Sequence, residues 1–467
     1  MAILIKNGTI VTATDQFKGN LLIDQEKIKA IGSGLDGRAE QVIDAEGKYI
    51  LPGGIDGHTH FSLPFMGTIT AGFETTVAAI VGGTTTIVDF VPQPQGMSLL
   101  DSMAKHREEK ADGKAAVDYG FHAMVMEAQK GIFEEPPALV KAGIPTIKLF
   151  MAYKGTPFNS DDATIFQMLQ KAKEVGMLTM VHAENGDVID VLQKQLIAEK
   201  KTDPQYHAVS RPAVVEAEAT SRATMLAKAA NAPIFVVHVS CTEAMAAIRE
   251  AKKQGIAAFG ETCPHYLTLS VDNLVKPNFE GAKYVCSPPL REPWHHDHIW
   301  QALQEGWLQV LGSDHCGFNF KGQKEMGRGD FTKIPNGAPG VENRLAILYT
   351  YGVLKGKLSL QRLVDVFATA PAKFYGLYPW KGSIFIGADA DVVIFDPKYS
   401  GKISVQTSMQ GLDFNTYEGF QQEGRAEKVF LRGKLSVDQG KFVGQKGQGK
   451  FVKGEPYGLA YAGQSWK

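Results

Sequence analysis

Residues 53–61, Gly-Gly-Ile-Asp-Gly-His58-Thr59-His60-Phe61, close an apolar, strand-like run with two histidines at i and i+2. On an extended segment those positions share a face, so both imidazoles can grip one cation. An H-x-H pair alone is a weak sign. It gains weight because from Pro52 onward the chain keeps one rhythm of strand, loop and helix. The strand-like segments are GGIDGHTH (53–60), TTTIVDF (84–90), VDYGFHAMV (117–125), TIKLFMAY (146–153), LTMVHAEN (178–185), IFVVHVS (234–240), AAFGETCPHYL (257–267) and LQVLGSDH (308–315). Between them lie helix-period segments such as ALVKAG (138–143), IFQMLQKAKEVG (165–176), AEATSRATMLAKAANA (217–232) and TEAMAAIREAKKQG (242–255), several closed by Gly, a common helix stop. Eight such alternations over about 300 residues predict an α/β fold, a (β/α)8 TIM-like barrel.

The ends of the chain read differently. ILIKNGTIVTA (3–13), GNLLIDQEKIKAIG (19–32) and QVIDAEGKYILPG (41–53) alternate apolar and polar residues around Asn-Gly and Glu-Gly turns. ADADVVIFDP (388–397), EKVFLRGKLSV (427–437) and KFVGQ (441–445) return to strands. We expect both termini to build one small β-sandwich. The domains are then 1–51 and 372–445 for the sandwich, 52–371 for the barrel, and 446–467 for an exposed tail or oligomer arm rich in Gly and Lys.

Bulk properties exclude several classes. A formal charge of −1 leaves no basic footprint for nucleic acid or an anionic membrane. No run of about 18 apolar residues is present, so no membrane span is expected. Residues 1–16 lack the apolar core of a signal peptide. The four cysteines are scattered without a C-x-x-C pair, which fits a reduced, cytoplasmic enzyme.

In a barrel of this kind the chemistry collects at the C-terminal ends of the strands. His58 and His60 end the first strand, His182 the fifth, His238 the sixth and Asp314 the eighth, while Lys148 stands alone inside the apolar fourth. Singly, a strand-end His reads as a satisfied core residue and an Asp after Gly-Ser as a helix cap. Together, four imidazoles and a carboxylate form a donor set for zinc or a similar divalent ion. They are one oxygen donor short of holding two ions, and Lys148 as an ammonium has no lone pair to offer.

The pattern resembles the dihydropyrimidinases and hydantoinases, cyclic amidases of the amidohydrolase superfamily. The resemblance covers nearly the whole chain through LPGGIDGHTHF (51–61), GGTTTIVDF (82–90), IKLFMAYKG (147–155), MVHAEN (180–185), VVHVS (236–240), ETCPHYL (261–267), CSPPLR (286–291) and GSDHC (312–316). It implies two divalent metals, Zn2+ foremost with Mn2+ or Co2+ as alternatives, and a Lys148 carboxylated to a bridging carbamate. His58, His60 and Asp314 would hold one ion, His182 and His238 the other. The implied reaction is ring opening of a dihydropyrimidine or 5-substituted hydantoin to an N-carbamoyl amino acid by a hydroxide shared between the metals. Asp314 would shuttle the proton and Tyr153 would steady the oxyanion. Ser287 and Asn336 match positions that hold the ring imide through main-chain groups. Leu63, Phe65 and Phe150 suggest an apolar pocket for the 5-substituent.

Dihydroorotases of the same superfamily carry an Arg where this chain has Ser62, so a carboxylated ring loses its anchor. Many relatives are acidic at Ser62 and at Ala71-Gly72, which bears on the preferred ring and leaves the ligand set intact. The resemblance also implies a homotetramer or dimer acting on a small cyclic amide or ureide. The competing readings are an allantoinase-type amidase and a non-catalytic scaffold of the same fold, which differ at the site and not in the fold. His295-His296-Asp297-His298 opens a helix-like stretch and reads as its solvated first turn.

Overall fold

The computed structural model describes residues 2–35, 39–126 and 131–457. Alternating apolar residues at the N-terminus form five strands, β1 (Ala2–Val11), β2 (Gln16–Asp24), β3 (Lys27–Gly32), β4 (Gln41–Asp44) and β5 (Tyr49–Pro52). The barrel strands follow: β6 (Gly54–Thr59), then, after a hairpin of β7 (Pro64–Phe65) and β8 (Thr68–Ile69), β9 (Thr84–Pro92), β10 (Asp118–Met124), β11 (Thr146–Phe150), β12 (Leu178–His182), β13 (Ile234–Val236), β14 (Ala258–Thr262) and β15 (Val310–Leu311). Four more, β16 (Val392–Lys402), β17 (Gln421–Leu431), β18 (Lys434–Asp438) and β19 (Lys441–Phe442), return the chain to its N-terminal strands.

Strands β6 and β9 to β15 pair in parallel in sequence order. The eighth and first strands close the ring without a regular ladder: His60 N donates to His315 O and His315 N to His58 O. Arg344, fully buried, staples the same seam by donating to Ile55 O and Leu311 O, with its Nε 3.1 Å from Asp56 Oδ2. Each strand sorts its residues by the two-residue period. In β9, Val88 and Phe90 join the core inside the barrel while Ile87 and Val91 face the helices. In β11, Phe150 faces inward and Ile147 and Leu149 outward, so Lys148, two residues before Phe150, is sent inside. His182 shares the inward parity of Leu178 and Met180. The expected helices form the outer layer, including Pro136–Ala142, Asp162–Glu174, Ala213–Ala230, Thr242–Lys253 and His295–Glu305. Gly143 and Gly306 end two of them in the left-handed region, at φ 87° and 80°.

The terminal strands hydrogen-bond as one nine-stranded sheet in the order β19-β18-β17-β16-β5-β1-β2-β3, with β4 added to β1. It has its own core, where Ile3, Ile5, Ile10, Leu21 and Ile50 from one end meet Val392, Ile394 and Phe430 from the other. A continuous sheet thus does the work of the expected sandwich. It is locked to the barrel floor by Lys381, whose Nζ reaches Asp118 Oδ2 at 2.8 Å and Asp391 Oδ2 at 2.7 Å, and by an Arg432–Asp118 pair.

The expectation of an exposed tail is corrected for its described part. Gly449 N donates to Ala115 O, Val452 N to Tyr119 O and Gly454 N to Gly143 O, so the segment lies along the barrel floor. Its glycines serve close approach: a Cβ on Gly449 would sit 1.8 Å from Val117 O. Residues 458–467 lie outside the described residues. Among the described residues no helix is long and apolar enough to cross a membrane.

Candidate metal centre

His58 is held from behind. Its Nδ1 lies 2.5 Å from Glu261 Oε1 at the end of β14, and its main-chain N donates to Asp56 Oδ1 at 3.1 Å. A carboxylate on one ring nitrogen fixes the tautomer and presents the other nitrogen as a ligand. His58 Nε2 accordingly points to Asp314, 3.2 Å from its Oδ1, and His60 Nε2 is 3.4 Å from the same oxygen. Ligand atoms of His58, His60 and Asp314 all lie within 4.8 Å of one another.

The second half is built alike. His182 Nε2 is 2.6 Å from Glu184 Oε2, which also accepts from Arg211 Nη1 at 2.7 Å. His238 follows β13, its main-chain N directed at Glu261 Oε1, and its ring centroid is 4.5 Å from that of His182 and 5.2 Å from that of His58. Lys148 rises between the halves, its Nζ 4.7 Å from the Phe90 ring centroid and 5.0 Å from that of Phe150.

Burial dominates the electrostatics. It pushes Lys148 down to about 7 against the pull of Asp314 and Glu261. It drives His58 and His238 well below the usual imidazole range, with Lys148 and the neighbouring imidazoles adding to the effect. Burial works to raise Glu184, but Arg211 and His182 outweigh it and hold the carboxyl at about 2. The imidazoles of His58 and His238 are therefore neutral, the form that ligates metal. Buried nitrogens of His58 (Nε2), His60 (Nδ1) and His238 (Nδ1) have no hydrogen-bond partner. The orphaned His58 Nε2 beside the Asp314 carboxylate fits a cation site, and the donor set fits divalent metal.

One cavity unites this cluster with the other residues singled out in the sequence: Leu63, Phe65, Phe150, Tyr153, Ser287 and Asn336 line it together with all six ligand candidates. Burial raises the Tyr153 hydroxyl to about 12, against Arg211, Ser287 and Asn336, which act to lower it. Phe65, Phe150 and Phe158 gather round the Tyr153 ring, and Phe158 packs edge to face on both Phe65 and Phe150 with centroids 5.5 Å apart. Tyr153, His238 and Asp314 sit at φ 59°, 40° and 49°. Each non-glycine residue in that region costs of order 1–3 kcal/mol, and such strain gathers where side chains must be aimed.

Sequence reasoning passed over Glu184, Arg211, Glu261 and Phe158. Glu184 and Glu261 were visible only as acids at strand ends, in HAEN and ETC. The 295–298 histidines stay apart from the centre, as expected of a helix start. His295 is nevertheless buried, and its Nδ1 accepts from Thr242 N at 3.1 Å, so that first turn is only partly solvated.

A family model described as "Amidohydrolase family" matches residues 49–436. The chain belongs to the amidohydrolase family. Over its whole length it is 51% identical to the D-hydantoinase of Geobacillus stearothermophilus, covering 99% of both chains. It is 48% identical to the D-hydantoinase of Ralstonia pickettii, over 98% of this chain and 100% of that one. A solved dihydropyrimidinase from Brevibacillus agri NCHU1002 superposes with a TM-score of 0.96 at 51% identity, covering 98% of this chain and 99% of that one. The barrel with its terminal sheet is thus the architecture of this family, which implies a binuclear metal centre where His58, His60 and Asp314 cluster.

Proposed function

We propose that this chain hydrolyses a cyclic amide, opening a dihydropyrimidine or a 5-substituted hydantoin to the N-carbamoyl amino acid. The observation that carries the reading is the single cavity in which the six ligand candidates face Tyr153, Ser287 and Asn336. The D-hydantoinase names of its relatives support hydantoins of the D series.

Two divalent ions, zinc foremost and manganese or cobalt as alternatives, would be held by His58, His60 and Asp314 on one side and by His182 and His238 on the other. Lys148, as N6-carboxylysine, would serve both. A buried amine brought down to about 7 is substantially neutral at physiological pH, the form that adds to CO2. When bound, the ions polarise a ring carbonyl and acidify water. Asp314 Oδ1, between His58 and His60, takes the proton of the attacking water and returns it to the ring nitrogen as the C–N bond breaks. The Tyr153 hydroxyl donates to the oxyanion that develops on the carbonyl oxygen. Main-chain groups of Ser287 and Asn336 hold the imide. Leu63, Phe65 and Phe150, joined by Phe158, cover the 5-substituent and keep water out. Ser62 offers no cation, so the favoured ring is neutral.

The four unpaired cysteines suit a reducing cytoplasm, and assembly as a homotetramer or dimer belongs to the same reading. The test is hydrolysis of dihydrouracil, a 5-substituted hydantoin and allantoin by metal-replete protein, with a chelator-treated sample alongside. Chelator-sensitive opening of either of the first two rings is expected. Turnover of allantoin alone would replace the substrate class, and no turnover with two metals bound would contradict the reading.

A further inference from the structure

A short turn after the eighth strand, Lys324–Gly327, reaches two of the segments that face the cavity through one side chain. Lys324 is fully buried, and its Nζ donates to Val285 O at 2.7 Å, Pro335 O at 2.7 Å and Gly337 O at 2.5 Å. An ammonium has three donors and no acceptor, so these carbonyls use it completely. Val285 stands two residues before Ser287, and Pro335 and Gly337 flank Asn336. Gly337 N donates to Val285 O as well, which makes one knot of the two segments. There is no slack around it, since a Cβ on Gly337 would lie 2.2 Å from Cys316 Cβ.

The turn is itself anchored. Phe320 N and Lys321 N donate to the Asp413 carboxylate, and Gln323 Nε2 holds Thr68 Oγ1 and Ile69 O of the β7–β8 hairpin. Burial pushes Lys324 down to about 7, and burying so polar a group is unfavourable unless its donors are met; an apolar side chain would fill the same volume without that burden. The arrangement therefore points to something beyond packing: three acceptors from two loops are tied to a single point.

We propose that Lys324 is a positioning residue for ring binding, clamping residues 285 and 335–337 so that Ser287 and Asn336 present their main-chain groups to the substrate imide. It rests on the reading of those two residues as ring holders. Because the clamp lies outside the ligand set, its loss acts on substrate affinity and leaves the metals in place.

The test uses the full-length, metal-replete protein and its Lys324→Met and Lys324→Gln variants, with a 5-substituted hydantoin as substrate. KM, kcat, bound metal and Tm are measured on each. Loss of these three hydrogen bonds in Lys324→Met should raise KM roughly tenfold while kcat stays within about threefold. Bound metal should remain at the wild-type level. Lys324→Gln, whose amide still donates, should recover part of the affinity. A folded Lys324→Met with normal metal and unmoved KM would overturn the proposal. So would a parallel loss of kcat and metal, or failure of both variants to fold, since each assigns Lys324 to scaffolding alone. A wild type that opens no ring defeats the functional reading first and this inference with it, and that result is seen before any variant is compared.

Discussion

Two buried lysines mark the two ends of the barrel, and their surroundings are opposite. On the floor, Lys381 lies against Asp118, Asp389 and Asp391; burial alone would lower it, but Asp391 and Asp389 raise it above the ordinary lysine value. At the mouth, Lys148 lies against aromatic faces and neutral imidazoles, with Asp314 and Glu261 near enough only to soften the effect of burial. The floor lysine is a permanent cation that ties the terminal sheet to the barrel. The mouth lysine is left without a counter-ion in contact, which makes it an amine ready for chemistry. Here the buried lysine with matched carboxylates holds two parts of the fold together, and the one without them faces the cavity.

The contrast is broken most severely at the mouth. Lys148→Ala should reduce turnover by at least about a thousandfold and lower bound metal from two ions towards one or none, read by kcat and elemental analysis. Unaltered turnover would remove Lys148 from the centre. Asp314→Asn comes next: ring binding should persist while kcat falls by about 10²–10⁴. A normal rate in that variant would end the assignment of Asp314 as proton carrier.

The floor answers through stability instead. Lys381→Met leaves Asp391 without its nearest cation and should cost about 3 kcal/mol in denaturant unfolding, with kcat of the folded fraction unchanged. The smallest effect is in pH, and its sign differs at the two ends. The folded pKa of Lys381 is raised, so its stabilisation is complete below the unfolded value of 10.5 and is lost as pH rises through the folded value. That of Lys148 is lowered to about 7, so between about 7 and 10.5 the unfolded chain holds more protons and stability rises with pH. In metal-free protein, the stability of wild type relative to Lys148→Met should climb across that window. Relative to Lys381→Met it should stay level to about pH 10.5 and then fall. The same slope in both differences would show that the two lysines are not electrostatically distinct.

What could be read from the chain follows from how local each signal is. His58, His60, His182, His238 and Asp314 stand at the junction of an apolar run and polar residues, and the run declares the strand. The barrel was legible because that junction recurs eight times. Resemblance to cyclic amidases then supplied the carbamate, Tyr153, Ser287 and Asn336, which residue types alone did not. The residues that hold the ligand candidates were not legible, because their partners are remote: Glu261 meets His58 across 203 positions and Arg211 meets Glu184 across 27. Lys324 reads as an ordinary surface lysine in GQKEMG until the fold brings three carbonyls to it. The tail misled for a physical reason, since glycine marks flexibility and close backbone approach equally well in sequence.

The account turns on Lys148 being the amine that takes up CO2. Protein reconstituted with divalent metal and 13C-labelled bicarbonate should show one carbamate carbon resonance per chain, absent in Lys148→Ala and present in Lys381→Met. No such resonance in active wild type, or one that survives Lys148→Ala, would contradict it.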